Sequence, residues 1–317
     1  MISHDVELAA ERLRHGGLVA IPTETVYGLA ADATDGSAVE RIFEIKGRPT
    51  THPLIVHVEP DASLDEWATD VPEAAATLAA ACWPGPLTML LRRGSLASDI
   101  VTGGLPTVGL RAPAHPLTQR LLRAVGRGLA APSANRFGRV SPTTAQHVLA
   151  DIGDRLDPDR DLILDGGPCE VGVESTIVDL TVDPPQVLRA GAIGAHELDR
   201  LLGTTVSAGA GPSRASGMLA SHYAPDCRVI PAMDAQDAQS IAATQSSAGF
   251  RVGVLDRTDD LVGAAQQLYA DLRAADAAGL DALVVVMPPA TGIGHALRDR
   301  ITKAAAAQGP DEPSRAG

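Results

Sequence analysis

The amino-acid sequence predicts an α/β protein with two domains joined by a linker. The chain has 317 residues, more than one hydrophobic core comfortably holds. Strand-like and helix-like patterns alternate up to about residue 203, and a segment rich in Gly, Ala, Ser and Pro follows. We therefore expect a first domain over 1–203, a linker over 204–227, a smaller α/β domain over 228–307 and a disordered tail over 308–317.

In the first domain, apolar periodicity and capping residues predict the elements. Ser37 and Glu40 form a capping-box pattern at the head of a helix that Gly47 closes. Ser141 and Pro142 combine an N-cap residue with a proline at the first helical position. The other predicted elements are helix Glu7–Arg14, strands Gly17–Pro22 and Leu54–Val58, helix Pro72–Cys82, strands Leu87–Leu91 and Thr107–Arg111, helix Leu117–Val125, strands Leu129–Ala131, Leu162–Leu164, Thr176–Leu180 and Val187–Arg189, and helix Ala195–Leu202.

The smaller domain repeats the alternation on a shorter scale. A strand over Arg251–Leu255 precedes a helix over Leu261–Ala275, and a strand over Ala282–Met287 precedes a helix over His295–Ala306. This order favours a βαβ arrangement with parallel strands.

Composition and charge exclude several classes of protein. No apolar run approaches the length of a membrane span and no signal peptide is recognisable, so we expect a cytoplasmic protein without a membrane partner. Three cysteines without CxxC spacing disfavour a disulfide framework or a zinc site. A net charge of −13 disfavours stable, direct nucleic-acid binding. A nucleotide site remains compatible with this charge, because a few basic groups in a cleft reverse the local field.

Two polar segments near the N-terminus are candidate ligand sites. Pro22–Gly28 (PTETVYG) follows a predicted strand directly, where open α/β sheets bind ligands; the alternative is a polar loop around a buried tyrosine. Lys46 and Arg48 flank a glycine at a helix end. The lysine ammonium is a compact point charge, whereas the arginine guanidinium can bind two oxygen atoms at once, and this combination suits a polyphosphate ligand. The alternative is that they only complement the helix dipole. Lys46 is one of two lysines among 26 basic residues.

Three later segments are further candidates. Ala131–Asn135 (APSAN) contains the chain's one asparagine. It precedes Ser141, which is predicted to lie at a helix N-terminus, where it could bind a phosphate group or could simply be the N-cap residue. Glu174–Asp179 (ESTIVD) and Leu188–Gly191 (LRAG) are each only a weak indication of a ligand site when taken alone. The GxxxxGK[ST] and GxGxxG nucleotide signatures are absent, so an ATP site would have to be built from these segments.

Taken in order, these motifs resemble the threonylcarbamoyl-AMP synthase family, whose catalytic unit is the YrdC-like domain. Further matching runs are HPLIVH at 52–57 and WPGPLT at 83–88, with SHYAP at 221–225 and GIGHA at 292–296 resembling the linker and second domain of the family's long form. The resemblance implies a YrdC-like twisted mixed-sheet catalytic domain with a smaller Rossmann-like α/β C-terminal domain. One departure is Pro-Thr-Thr-His at 49–52, where many members carry a Ser-Asp-Asn-type run.

The resemblance implies an L-threonylcarbamoyladenylate synthase, a nucleotidyltransferase that condenses L-threonine, bicarbonate and ATP and releases pyrophosphate. The product would serve t6A modification at position 37 of tRNA through a tRNA threonylcarbamoyltransferase complex. Mg²⁺ would enter on the ATP phosphates without a protein ligand. The site residues implied at matching positions are Thr25, His57, Arg111, Ala131 and Ser175 for L-threonine; Lys46, Arg48, Thr107, Ser133, Asn135, Ser141 and Arg189 for ATP, with Lys46 and Arg48 catalytic; and His222 and Tyr223 for a linker lid.

In this chemistry the threonine amine takes up CO₂, and the resulting carbamate attacks the α-phosphorus of ATP, so no protein nucleophile is needed. Catalysis should come from positioning, charge neutralisation and exclusion of water by the lid. Two alternatives stay open: an RNA-binding module, which the acidic charge and 3% aromatic content disfavour, and a carbamoyltransferase with another amine substrate. Ligand sensing by the second domain rests on its α/β pattern alone.

Overall fold

The computed structural model describes residues 1–209, 214, 215, 217, 218 and 222–307. The expected disordered tail and parts of the expected linker lie outside these residues. The described strands are β1 (Ile2–Ser3), β2 (Val19–Ile21), β3 (Gly28–Asp32), β4 (Ile55–His57), β5 (Ala68–Thr69), β6 (Leu87–Arg93), β7 (Thr107–Arg111), β8 (Leu129–Ala130), β9 (Leu162–Leu164), β10 (Thr176–Asp179), β11 (Gln186–Arg189), β12 (Ser207–Ala208), β13 (Arg228–Ala232), β14 (Val252–Leu255) and β15 (Ala282–Val286). The described helices are α1 (Val6–Arg14), α2 (Gly36–Lys46), α3 (Glu73–Cys82), α4 (Asp99–Thr102), α5 (Pro116–Val125), α6 (Ala145–Ile152), α7 (Ala195–Leu202), α8 (Ala235–Ser247), α9 (Leu261–Ala277) and α10 (Gly294–Ala306).

The first domain is built on one large mixed sheet. Its strand order is β1-β9-β2-β3-β8-β4-β7-β6-β10-β11-β12, with β5 paired to β6. Strands β4 and β7 are parallel, whereas β2 and β3, and β6 and β7, are antiparallel. One apolar cluster packs α1 and α5 against the sheet, and a larger one packs α2 and α3. This architecture confirms the predicted mixed-sheet α/β fold.

The second domain is a three-stranded parallel sheet of order β13-β15-β14, as the sequence predicts for its strands. Strand β13 and helix α8 were not predicted. Pro231 weakens the strand pattern of β13, yet the structure tolerates it because β13 lies at a sheet edge. Helix α8 is rich in Ala, Ser and Gln and fully buries only Ala238, so its apolar periodicity is weak. None of the helices over the described residues is long and apolar enough to cross a membrane.

Two predicted helix starts are wrong. Helix α2 begins at Gly36, and the carboxylate of Asp35 accepts hydrogen bonds from the backbone N–H groups of Ser37 and Ala38, so the N-cap is Asp35 and not Ser37. Its predicted end is confirmed, because Gly47 adopts φ +62 after the last turn. The second helix, α6, begins three residues after Pro142 rather than at it.

The cap of α6 is Thr144, whose side chain accepts from the backbone N–H of His147. Ser141 therefore does not cap a helix; its hydroxyl instead donates to a carboxylate described below. The segment expected to be a plain linker also contains a short strand, since β12 pairs in parallel with β11 and extends the first sheet. Strand β12 has only two residues, which is too short to show an alternating apolar pattern, so the sequence could not predict it.

Candidate active site

A cleft lies where several elements of the first domain end, and its empty space, which includes open solvent, is about 570 Å³. His57 and Arg111 are the last residues of β4 and β7, and Arg189 is the last residue of β11. The lining residues are Thr23, Thr25, Val26, Gly28, Arg48, Ile55, His57, Arg111, Ala131, Pro132, Ser133, Glu174, Ser175, Arg189, Gly217, His222 and Tyr223.

The loop between β2 and β3 presents Thr25 to the cleft. The hydroxyl of Thr23 accepts from the backbone N–H groups of Thr25 and Val26, and donates to the carbonyl of Val26 at 2.6 Å. The two threonine hydroxyls lie 2.8 Å apart. Tyr27 anchors the far side of the loop, because its hydroxyl donates to the carbonyl of Gly167 at 2.8 Å. The PTETVYG loop is therefore held by internal hydrogen bonds, presents Thr25 to the cleft and also surrounds a buried tyrosine. The structure thus agrees with both interpretations, a candidate ligand site and a polar loop around a buried tyrosine.

Arg111 is held in the cleft by a carboxylate that the sequence reasoning did not select. Nη2 of Arg111 donates to Oε1 of Glu24 at 2.6 Å, and both side chains are at least nine-tenths buried. The other carboxylate oxygen of Glu24 accepts from the backbone N–H of Ala114 at 2.9 Å. A buried guanidinium needs such a partner, because an unpaired charge in the interior is costly. The signal that could have found Glu24 is the acidic residue between the two threonines of PTETVYG.

His57 is a neutral polar group in the cleft wall. Burial, together with the nearby charge of Arg111, lowers the pKa of His57 to about 3. Its Nδ1 atom is buried and has no hydrogen-bond partner among the residues that the structure describes. A buried ring nitrogen of this kind is suited to a polar ligand atom. Ala131, also in the wall, is positioned by a hydrogen bond from its backbone N–H to the carbonyl of Ile55 at 3.0 Å.

Lys46 and Arg48 occupy different positions around the cleft. Arg48 lines it, and burial and the charge of Arg189 lower its pKa to about 10, so the guanidinium stays charged at neutral pH. Lys46 lies behind the wall, where its ammonium donates to the backbone carbonyls of Ser133 and Asn135. Burial and the charge of Arg48 lower the pKa of Lys46 well below its usual value. In this structure Lys46 therefore holds the loop that presents Ser133.

Ser175 and Arg189 form another part of the cleft wall. Nε of Arg189 donates to the carbonyl of Ser175 at 2.9 Å, and Nη2 donates to its hydroxyl at 3.0 Å. That hydroxyl also lies 2.8 Å from the hydroxyl of Thr88. Glu174, which sequence reasoning did not select as a site residue, lines the cleft beside Ser175 and accepts from the hydroxyl of Ser141 at 2.6 Å.

The linker contributes two aromatic side chains to the cleft. His222 and Tyr223 lie edge to face, with ring centroids 4.2 Å apart, and both are buried. Burial, together with the charges of Lys46 and Arg48, lowers the pKa of His222 to about 3 against the opposing effect of Glu174. Both residues predicted for the lid line the cleft, and closure by them stays a prediction.

Ten of the fourteen predicted site residues line the cleft, and the four exceptions are Lys46, Thr107, Asn135 and Ser141. Asn135 is buried in a turn, where its amide donates to the carbonyls of Arg136 and Arg139. Thr107 starts the strand that Arg111 ends, about 13 Å away at the usual rise of a strand. Ser141 reaches the cleft only through its hydrogen bond to Glu174.

The electrostatic character of the cleft opposes that of the whole chain. Three arginines line it, namely Arg48, Arg111 and Arg189, against the two carboxylates Glu24 and Glu174. Both carboxylates are bonded to guanidinium groups. The net charge of the chain is −13, yet the cleft suits an anionic ligand because its cations are fixed in a partly desolvated site. Across the described part of the chain, no group of three or more His, Cys, Asp or Glu residues could hold a metal ion.

Two family models match the chain. Residues 11–191 match a family described as "Telomere recombination", and residues 193–306 match one described as "Threonylcarbamoyl-AMP synthase, C-terminal domain". The threonylcarbamoyl-AMP synthase of Pyrococcus abyssi is 37% identical, and the match covers 94% of this chain and 93% of that protein. The enzyme of the same name from Bacillus subtilis is 38% identical, with 94% and 92% covered.

Solved structures also show similarity to this family. The crystal structure of P. abyssi Sua5 complexed with L-threonine matches with a TM-score of 0.88 at 37% identity, covering 95% of this chain and 94% of that one. The crystal structure of E. coli YciO matches with a TM-score of 0.50 at 28% identity, covering 59% of this chain and 88% of that one. Sequence and structure agree over both domains, and the chain belongs to the threonylcarbamoyl-AMP synthase family.

Proposed function

We propose that the chain condenses L-threonine, bicarbonate and ATP into threonylcarbamoyl-AMP and pyrophosphate in the cleft of the first domain. The observation that carries the proposal is the lining itself: three buried guanidinium groups surround a pocket that also presents hydroxyl groups and a neutral histidine. Such a lining suits one ligand with a carboxylate and another with phosphates. The related P. abyssi protein is described as complexed with L-threonine.

The threonine subsite would lie between the PTETVYG loop and the ends of β4 and β7. Arg111 is oriented by Glu24 and would bind the α-carboxylate of the amino acid. The hydroxyls of Thr25 and Ser175 and the Nδ1 atom of His57 would bind its other polar groups. Ala131 would close one side of this subsite.

The ATP subsite would use the other two guanidinium groups. Arg48 and Arg189 would contact the phosphates, beside the hydroxyl of Ser133. The substrate would be ATP as its Mg²⁺ complex, because both cleft carboxylates already bind arginines and a phosphate-bound Mg²⁺ needs few protein ligands. Lys46 supports this subsite by holding the carbonyls of Ser133 and Asn135. Direct contacts of Lys46, Thr107, Asn135 and Ser141 with ATP stay predictions.

In the reaction, bicarbonate would give CO₂ and hydroxide, and the neutral amine of threonine would add to the CO₂. The proton that the amine loses would combine with the hydroxide to form water, which leaves a carbamate. A carbamate oxygen would attack the α-phosphorus, and the bond to the pyrophosphate oxygen would break. Arg48 and Arg189 would neutralise the charge that develops on the leaving pyrophosphate. His222 and Tyr223 would exclude bulk water from the carbamate, which loses CO₂ when it is protonated, and from the mixed anhydride, which hydrolyses readily.

We further propose that the product is passed to a tRNA threonylcarbamoyltransferase complex in the cytoplasm for t6A modification, without stable binding of tRNA to this chain. The net charge of −13 supports the second part, because phosphate backbones bind basic surfaces. An affinity for tRNA that falls steeply with salt, in the absence of ATP turnover, would instead support an RNA-binding module.

The test is pyrophosphate release from ATP and bicarbonate with L-threonine or with other amines. Release that depends on L-threonine supports the proposal, and release that is indifferent to L-threonine favours a carbamoyltransferase of another specificity. Arg48→Ala and Lys46→Ala should each lose most of the turnover, on the order of 100-fold, since both shape the phosphate side of the cleft. Arg120→Ala on the exposed face of α5 is the matched control. Full activity in either Arg48→Ala or Lys46→Ala would contradict the assignment.

A further inference from the structure

Arg300 of the second domain is a fully buried cation that contacts the first domain. It belongs to α10 and is the largest fully buried side chain of the described residues, with 0% exposure. Nε of Arg300 donates to Oε2 of Glu174 at 2.9 Å, and Nη1 donates to the carbonyl of Ala190 at 2.8 Å. Nη1 also donates to Asp299 of its own helix at 2.7 Å. Since burying a guanidinium is costly unless it is paired, these partners explain its position.

The two first-domain partners of Arg300 are the chain neighbours of two cleft residues. Glu174 precedes Ser175, and Ala190 follows Arg189. Arg189 itself donates to both the carbonyl and the hydroxyl of Ser175. One guanidinium group therefore ties together the two backbone segments that present Ser175 and Arg189 to the cleft.

A second residue of the smaller domain binds the same carboxylate. The hydroxyl of Tyr269, on α9, donates to Oε2 of Glu174 at 2.7 Å. Oε1 of Glu174 accepts from Ser141, so the carboxylate is bonded by groups of both domains. The guanidinium of Arg300 also lies over the ring of the lid residue Tyr223, 5.3 Å from its centroid.

These contacts decide the charge of Glu174. Burial raises the pKa of this carboxyl, but Arg300, Arg189 and the hydrogen bonds of Ser141 and Tyr269 lower it to about 2. Without Arg300, the Glu174 carboxylate would lose the largest interaction that lowers its pKa, while the burial that raises its pKa would remain. The titratable or charged groups that face Glu174 are Arg189 from β11, Tyr269 from α9, Arg300 and its neighbour Asp299 from α10, and His222 and Tyr223 from the linker.

We infer that Arg300, assisted by Tyr269, is a positioning residue for the reaction: the second domain holds Glu174 ionised and oriented, and thereby fixes Ser175 and Arg189 in the cleft. The inference rests on the proposed function, because it concerns the same cleft. It assigns the second domain a role in the geometry of a site to which its sheet contributes no lining residue among those described.

The test compares Arg300→Met with Arg298→Met in the full chain. Arg298 lies two residues earlier on the same helix, and its one hydrogen bond to the described residues goes to the carbonyl of Pro288 within its own domain, so its substitution controls for changes to α10. The readouts are kcat, KM for L-threonine and ATP, and their pH dependence. Arg300→Met should lower kcat/KM by about 100-fold at neutral pH, which is the effect expected from a misplaced reactive geometry.

The pH profile separates positioning from general destabilisation. In Arg300→Met, Glu174 should take up a proton at a higher pH than in the wild type, so activity should rise with pH over a range in which the wild type is flat. Adding Glu174→Gln should abolish that rise, because the amide does not titrate. Arg300→Met with the pH profile and kcat/KM of the wild type would overturn the inference.

Tyr269→Phe provides a second variant that keeps the ring and the packing of α9. Loss of one hydrogen bond to a charged group should lower kcat/KM by about 10-fold or more, with a smaller pH displacement in the same direction. If Arg300→Met does not fold, Tyr269→Phe becomes the test of the inference. Wild-type kinetics in Tyr269→Phe would then overturn it. A wild-type chain that binds ATP and L-threonine by calorimetry but releases no pyrophosphate would contradict the proposed function instead. Reduced calorimetric affinity in Arg300→Met would still support the positioning role.

Discussion

The ion pair between Arg111 and Glu24 gives a quantitative prediction. Glu24→Ala leaves the guanidinium of Arg111 buried without its carboxylate, and it removes the acceptor of the Ala114 N–H. Breaking a buried pair by removing one partner costs about 3–5 kcal/mol. With a urea m-value of roughly 2 kcal/mol/M, the unfolding midpoint should fall by about 2 M. Glu24→Gln should lie between this variant and the wild type, because it retains a hydrogen-bond acceptor.

Tryptophan fluorescence during urea unfolding measures this effect selectively. The chain has two tryptophans, Trp67 and Trp83, and both are buried in the first domain, so their emission reports on that domain. The matched control is Asp154→Ala, which breaks the Arg136–Asp154 pair with side chains 44% and 64% exposed and should cost at most about 1 kcal/mol. A Glu24→Ala midpoint within the range of the control would refute the reasoning that this pair is energetically buried.

Two further predictions concern pH and the linker. The pKa of His57 is lowered to about 3 by burial and Arg111, against about 6.5 in an unfolded chain, so folding stability should be complete above about pH 6.5 and fall as the pH drops toward 3. His57→Gln should flatten this fall in urea titrations between pH 7 and 4, and an unchanged slope would contradict the assignment. Arg214 of the linker donates to the fully buried carboxylate of Asp179, so Arg214→Ala should free the linker and speed proteolytic cleavage between residues 204 and 227; a cleavage rate equal to that of the wild type would show that this contact does not hold it.

Local sequence rules predicted part of the fold. Glycine at position 47 in a left-handed conformation ends α2 as expected, and the parallel order of the second sheet follows from its alternation of strands and helices. The capping rule failed at Ser37, where Asp35 lies two residues earlier and offers an equally good acceptor. Strand β13 was missed because Pro231 argues against a strand unless the strand lies at a sheet edge, and only the assembled sheet shows that it does.

The sequence by itself determined the family and most of the cleft, because its motifs recur in a specific order and place charged and hydroxyl side chains at element ends. The tertiary structure decided which of these side chains face the cleft and which hold its wall. Lys46 forms a pair with Arg48 in sequence, yet its ammonium supports the Ser133 loop. Glu24 and Glu174 acquire their importance from arginines 87 and 126 residues away. The physical reason is that a buried charge is stable only beside a partner, and folding brings such partners together across distances that no local pattern records.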